Sequence, residues 1–192
     1  MRNADPVGFC KNFVFSPSRP EIRVAGFKWL PKQFFENIKP GVRKKLINYL
    51  KRSEQVRVLF LERNNLLHQY VSWMVSIETQ QWRAEISDSR LPLERRQIEI
   101  DPDRLRYQTR EWKNNMQQFR QIFSGFPSMT LTYEELCDDT EFSMGSVQKF
   151  LNISQQKLNS SMVRLNPEPV NQRILNYEEI KMAFPDLIND EL

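Results

Sequence analysis

Arg63 stands directly after an apolar run, residues 55–62, and directly before Asn64 and Asn65. Asn caps helices well, and Leu66, Leu67, Tyr70, Val71 and Met74 then recur at three and four residues. The pattern predicts a strand, a tight polar turn and an amphipathic helix, with Arg63 at the strand's carboxyl end. In open parallel sheets ligands bind at that end. A helix N-terminus beside it offers N–H groups and a dipole to an anion, and Arg carries a fixed fork of donors suited to phosphate. Asn65, His68, Gln69, Ser72 and Ser76 fall on the helix face opposite the apolar stripe. Ser72 is thereby placed toward the same pocket as Arg63. An Arg and a Ser hydroxyl converging on a phosphate is one reading. An exposed Arg and a helix Ser on a wet face is the other, and the residues alone leave both open.

Other candidates carry less chemistry. His68 is the one histidine, and a lone His in the first turns of a helix serves the surface or a cap as readily as acid–base work. Trp73, Trp82 and Trp112 have the spacing of core residues. Tyr133 ends a third predicted strand, where its ring either stacks on a nucleotide base or packs. The chain has no GxxxxGK[ST], GxGxxG, GxSxG or HExxH motif, and its five glycines leave no place for a glycine-rich phosphate cradle. Cys10 and Cys137 make neither a disulfide framework nor a zinc site, so no metal is expected.

These side chains must be positioned by a recognisable alternation. Residues 1–20, with Pro6, Pro17 and Pro20, read as loop or a loosely tied arm. Residues 22–28 read as a short strand and 42–52 as a helix. The run 55–62 has little polar alternation, as expected for a strand buried on both faces of a parallel sheet. Residues 87–100 read as a loop. Asp101-Pro102-Asp103 is a strong helix start. Leu105, Thr109, Trp112, Met116, Phe119 and Phe123 then mark a long helix ending before Gly125. A strand over 128–133, a short helix over 142–151 and a tail of short pieces complete the pass. Strands alternating with helices predict an α/β fold with a parallel sheet.

Composition sets the outer bounds. The 192 residues are 40% hydrophobic and 27% charged, values ordinary for one globular domain. No apolar run approaches a membrane span, and the first residues have no secretory h-region. The net charge of +4 is unevenly divided. Residues 1–63 hold 14 basic and 5 acidic side chains, and residues 64–192 hold 14 and 19. Such asymmetry suggests an anionic partner near the first part: a phosphorylated small molecule, a nucleic acid or an acidic polymer. A solvated helix face is the plain alternative for Arg43, Lys44, Lys45, Lys51 and Arg52. No helix-turn-helix or RNA-binding signature supports a nucleic acid.

The segment Arg63-Asn64-Asn65-Leu66-Leu67-His68-Gln69-Tyr70-Val71-Ser72 resembles the 3′-phosphate motif of the sulfotransferase superfamily. Its form is similar to that of the carbohydrate, glycolipid and nodulation-factor branch. Three further stretches agree in order. Ala25-Gly26-Phe27-Lys28 resembles the upstream "GFK" strand. Leu131-Thr132-Tyr133-Glu134-Glu135-Leu136, with Phe150-Leu151-Asn152-Ile153 after it, resembles the "YEDL…FLG" block. Arg164-Leu165-Asn166-Pro167-Glu168-Pro169 through Asn176-Tyr177-Glu178-Glu179 resembles the C-terminal "NPEP…NYEE" segment. The likeness spans roughly residues 22–184.

The resemblance implies a P-loop-like three-layer α/β sandwich with a parallel sheet. Its co-substrate would be 3′-phosphoadenosine 5′-phosphosulfate (PAPS), and its acceptor a hydroxyl of a carbohydrate or glycolipid. Arg63 and Ser72 would hold the 3′-phosphate, Tyr133 would lie near the adenine, and Arg164 would approach the phosphate from the C-terminal segment. The family's 5′-phosphosulfate loop, similar to "PRSGT", has no match in residues 1–21, and its general base is missing with it. The expectation is therefore an irregular arm over 1–21 and a partial, N-terminally truncated domain over 22–192, either a weak sulfotransferase or a nucleotide- or polyanion-binding remnant. Animal relatives work in the Golgi lumen behind an anchor and bacterial ones in the cytoplasm, so the likeness leaves the compartment open.

Overall fold

Proline after a capping acid starts two of this chain's helices, at Asp5-Pro6 and at Asp101-Pro102. In the computed structural model, which describes residues 5–16, 21–82, 84–85, 97–159, 162–163 and 169–188, Asp5 opens the first of them. Helix α1 (Pro6–Phe9) continues as a π-helical turn over Cys10–Val14, and the Asp5 carboxylate accepts the Gly8 N–H at 2.9 Å. The loop expected over residues 1–20 is thus helical at 6–14, because Asp5-Pro6 is the same start signal as Asp101-Pro102. Then follow α2 (Pro31–Asn37), α3 (Pro40–Leu50), β1 (Val58–Glu62), α4 (Leu66–Thr79) and β2 (Ala84–Glu85). After these come α5 (Pro102–Phe123), β3 (Ser128–Thr132), α6 (Tyr133–Asp138) and α7 (Thr140–Phe150). The chain closes with β4 (Met162–Val163), a 3₁₀ turn at Val170–Gln172, α8 (Tyr177–Ala183) and α9 (Pro185–Ile188).

The architecture is helix-rich α/β. Strands β1 and β3 form a two-stranded parallel sheet. Strands β2 and β4 form a separate antiparallel ribbon, with Ala84 opposite Val163 and Glu85 opposite Met162. Two strand expectations are corrected. Residues 22–28 run extended without joining a ladder, and Ile22, Val24 and Phe27 stay exposed. Phe27 of this segment meets Trp29 instead, 4.6 Å between ring centroids. Strand β1 is not buried on both faces: Phe60 is 7% exposed, whereas Leu59 and Leu61 are 43% and 54% exposed. The unbroken apolar run reflects one buried face and an open one, not a central strand.

The chain divides into two compact units. The first comprises residues 1–60, 114–131 and 142–156. Its core is largely aromatic, with Phe34, Phe60, Phe119, Phe123 and Phe126 packed with Ile47 and Leu50. Phe34 meets Phe119 edge-to-face at 5.0 Å, the arrangement aromatic quadrupoles prefer. The second unit comprises residues 61–113, 132–141 and 157–192. Leu67, Tyr70, Val71 and Val75 of α4, the residues of the predicted apolar stripe, pack there with Ile98, Ile100, Leu105, Val170, Ile174, Ile180 and Leu187. Ile98 and Ile174 form a parallel bridge. Beside it the Asn176 amide imitates a strand partner, accepting the Ile100 N–H at 3.0 Å and donating to the Ile100 carbonyl at 2.9 Å. The Asn of the "NYEE" stretch thus has a structural task, closing the edge of residues 98–100. Asp101 caps α5 as expected, its carboxylate accepting the Asp103 and Arg104 N–H groups.

Candidate functional site

The candidate site lies in the second unit, where β1 ends and α4 begins. Asn65 caps α4: its side-chain oxygen accepts the His68 N–H at 2.7 Å. Arg63 precedes the cap, as expected from the sequence, with a side chain only 16% exposed. Among the described residues, His68, Tyr133 and Glu134 lie at its guanidinium. Its Nη2 donates to His68 Nδ1 at 2.9 Å. Arg has no acceptor, so Nδ1 must carry the lone pair and the imidazole is neutral with its proton on Nε2. The Tyr133 ring lies against the guanidinium, 4.4 Å from centroid to Cζ. The Glu134 carboxylate stands 3.9 Å from Nε.

Glu134 is the residue that sequence reasoning missed. Its two oxygens accept the backbone N–H groups of Asn64 at 3.1 Å and Asn65 at 3.2 Å. A helix N-terminus attracts anions, and here the anion is supplied by the chain itself. The N–H groups of Asn64 and Asn65, just before the helix, therefore go to Glu134 and not to a ligand. The only hint in the sequence was the resemblance of residues 131–136 to a "YEDL" block.

Tyr133 is likewise relocated. It is the first residue of α6, not the end of β3. Thr132 caps α6 in a capping box: its Oγ1 accepts the Glu135 N–H at 3.1 Å while the Glu135 carboxylate accepts the Thr132 N–H at 2.8 Å. Thr132-x-x-Glu135 is the sequence signature of that motif, and it fixes the direction in which Tyr133 and Glu134 leave the backbone. The Thr132 N–H and the Thr132 hydroxyl, the latter at 2.9 Å, both donate to the Glu135 carboxylate and hold its pKa below the ordinary value.

Ser72 sits two turns into α4, half-buried, and its carbonyl accepts the Ser76 hydroxyl at 2.9 Å. Ser76 is buried, so the helix face opposite the apolar stripe is partly covered. Arg164 lies outside the described residues. Cys10 is buried and Cys137 exposed, and both are free thiols. Burial pushes the Cys10 thiol pKa up, which keeps it protonated and unreactive. Among the described residues no three His, Cys, Asp or Glu side chains gather as a metal site would require, and no helix is long and apolar enough to cross a membrane.

No family model, curated protein or solved structure matches this chain. The site is therefore argued from its own geometry. That geometry unites Arg63, His68 and Tyr133, three of the residues weighed in the sequence, and adds Glu134. A cation so held, at the carboxyl end of a parallel strand, suits a bound anion more than a proton-transfer role. The neutral His68 is committed to Arg63 through Nδ1, which makes it a partner of the cation.

Proposed function

We propose that this chain binds the 3′-phosphate of a nucleotide at Arg63, and that it does so as a sulfotransferase-type protein whose co-substrate is PAPS. The observation that carries the reading is the Arg63 guanidinium, stacked on Tyr133 and hydrogen-bonded to His68 at the end of β1. A guanidinium fixed in this way loses little freedom when it meets a phosphate. Ser72 adds a hydroxyl to the phosphate, Tyr133 lies on the adenine side, and Arg164 approaches from the C-terminal segment. On this reading β1 and β3 belong to the parallel sheet of a P-loop-like three-layer sandwich. The reaction would move a sulfuryl group in line to a carbohydrate or glycolipid hydroxyl, with Arg63 and Ser72 positioning the nucleotide. Because residues 1–21 lack a "PRSGT"-like loop, the 192-residue chain alone should turn over weakly or not at all. Robust sulfation by the purified chain would contradict that expectation.

The direct test is calorimetric titration with adenosine 3′,5′-bisphosphate and with 5′-AMP. The reading expects the bisphosphate to bind and 5′-AMP to bind far more weakly. Equal affinities, or no binding of either, would contradict it.

One observation favours a second reading, that of a polyanion-binding module. Lys44 and Lys45 on α3, with Lys51 and Arg52 just after it, are all exposed, and no acid lies between Glu36 and Glu54. Arg43 is set apart from them, its guanidinium lying over Phe34 and Phe35.

A further inference from the structure

Resting on the nucleotide reading above, we infer that Glu134 is the positioning residue of the phosphate site: it fixes where Arg63 presents its guanidinium. The carboxylate bridges two helix starts. It takes the Asn64 and Asn65 N–H groups of the turn before α4, and it projects from the first turn of α6, beside Tyr133. Holding that turn places the backbone of Arg63. Holding α6 to it places the ring on which Arg63 lies, 4.4 Å away. The 3.9 Å separation from Arg63 Nε leaves Glu134 as a nearby counter-charge, while its closer bonds go to backbone. Glu134 therefore belongs to the site without touching the ligand.

The sign of one effect decides between this role and simple charge. A carboxylate beside an anion site repels the anion, so its neutralisation should tighten phosphate binding if charge alone matters. A positioning role requires the reverse. In Glu134→Gln one oxygen becomes an NH₂ group that faces a backbone N–H, donor against donor, and the turn is released.

The experiment measures the bisphosphate-over-AMP affinity ratio in the full chain, in Glu134→Gln and in Glu134→Asp, with circular dichroism confirming that each is folded. The ratio is expected to fall about tenfold in Glu134→Gln, while affinity for 5′-AMP is unchanged. The Asp variant keeps the charge and shortens the reach by one methylene, and it should lose the ratio too, which charge alone would not cause. A ratio that stays the same or rises in Glu134→Gln overturns the inference. If the unaltered chain shows no preference for the bisphosphate, the nucleotide reading fails, and amide exchange then decides the role of Glu134. Faster exchange at Asn64 and Asn65 in Glu134→Gln, with the Arg63 Nε–H resonance losing the ring-current shift of Tyr133, upholds it. Unchanged exchange and an unmoved resonance overturn it.

Discussion

At the scale of single residues, the site is a cation whose surroundings are long-range. Arg63 was legible because its type, its place after an apolar run and the two Asn residues behind it are all local. Its neighbours were not. Glu134 is separated from Asn64 by 70 positions and so lies beyond any periodicity. His68 was visible as a lone histidine, but its bond to Arg63 depends on the cap at Asn65 setting the first turn of α4. Replacing Tyr133 by Leu removes the π face beneath Arg63 while keeping a bulky apolar side chain. Such contacts are worth about 0.5–1 kcal/mol at exposed sites and about 2 kcal/mol when desolvated, and Arg63 lies between these limits. Bisphosphate affinity should accordingly fall severalfold in Tyr133→Leu, measured by calorimetry, and Tyr133→Phe should remain close to the unaltered chain.

Among the elements, the start signals were the best-written part of the sequence. Asp101-Pro102 and the Asn65 cap open helices where the residues place them. Truncating Asp101 to Ala leaves two N–H groups of α5 without their acceptor, a loss of about 1 kcal/mol typical of helix caps. The midpoint of urea unfolding should drop, with an unchanged slope. Other signals of the same kind went unread at Asp5-Pro6 and at Thr132-x-x-Glu135, both because a neighbouring feature dominated: prolines that suggested a loop, and a strand extended one residue too far. The strand errors share one cause. Apolar runs at 22–28 and 55–62 do not by themselves report what covers them: the first stays largely exposed, with Phe27 against Trp29, and the second buries one face. The capping box also titrates. The folded carboxyl of Glu135 lies below its ordinary value, so its contribution is present above the unfolded-state pKa and is lost as pH falls through the folded one. Thr132→Ala removes the side-chain bond, and the pKa of Glu135 followed by NMR should move up toward the ordinary carboxylate range.

For the whole molecule, the sequence pattern announced α/β but not the balance of its parts. The sheet carrying the site has two strands, and the two units rest on different cores, one aromatic and one largely aliphatic. Phe34, buried among four other rings, is the test of the aromatic one. Its replacement by Ala should cost about 3–5 kcal/mol, readable in chemical denaturation. Charge is also a whole-chain property: the excess of bases in residues 1–63 leaves the lysines after residue 43 in water. If they bind a polyanion, that affinity must fall steeply with salt, whereas the Arg63 site, being partly buried, should be less sensitive.

The central claim is that Arg63 reads a 3′-phosphate. The decisive measurement is the affinity of Arg63→Ala for adenosine 3′,5′-bisphosphate and for 5′-AMP, set beside the same pair of values for the unaltered chain. Loss of a charge-assisted contact costs about 1.5–3 kcal/mol, roughly ten- to a hundredfold in affinity. The account predicts a loss of that size for the bisphosphate and almost none for 5′-AMP. Equal losses for both nucleotides, or a bisphosphate affinity that survives without Arg63, would contradict it.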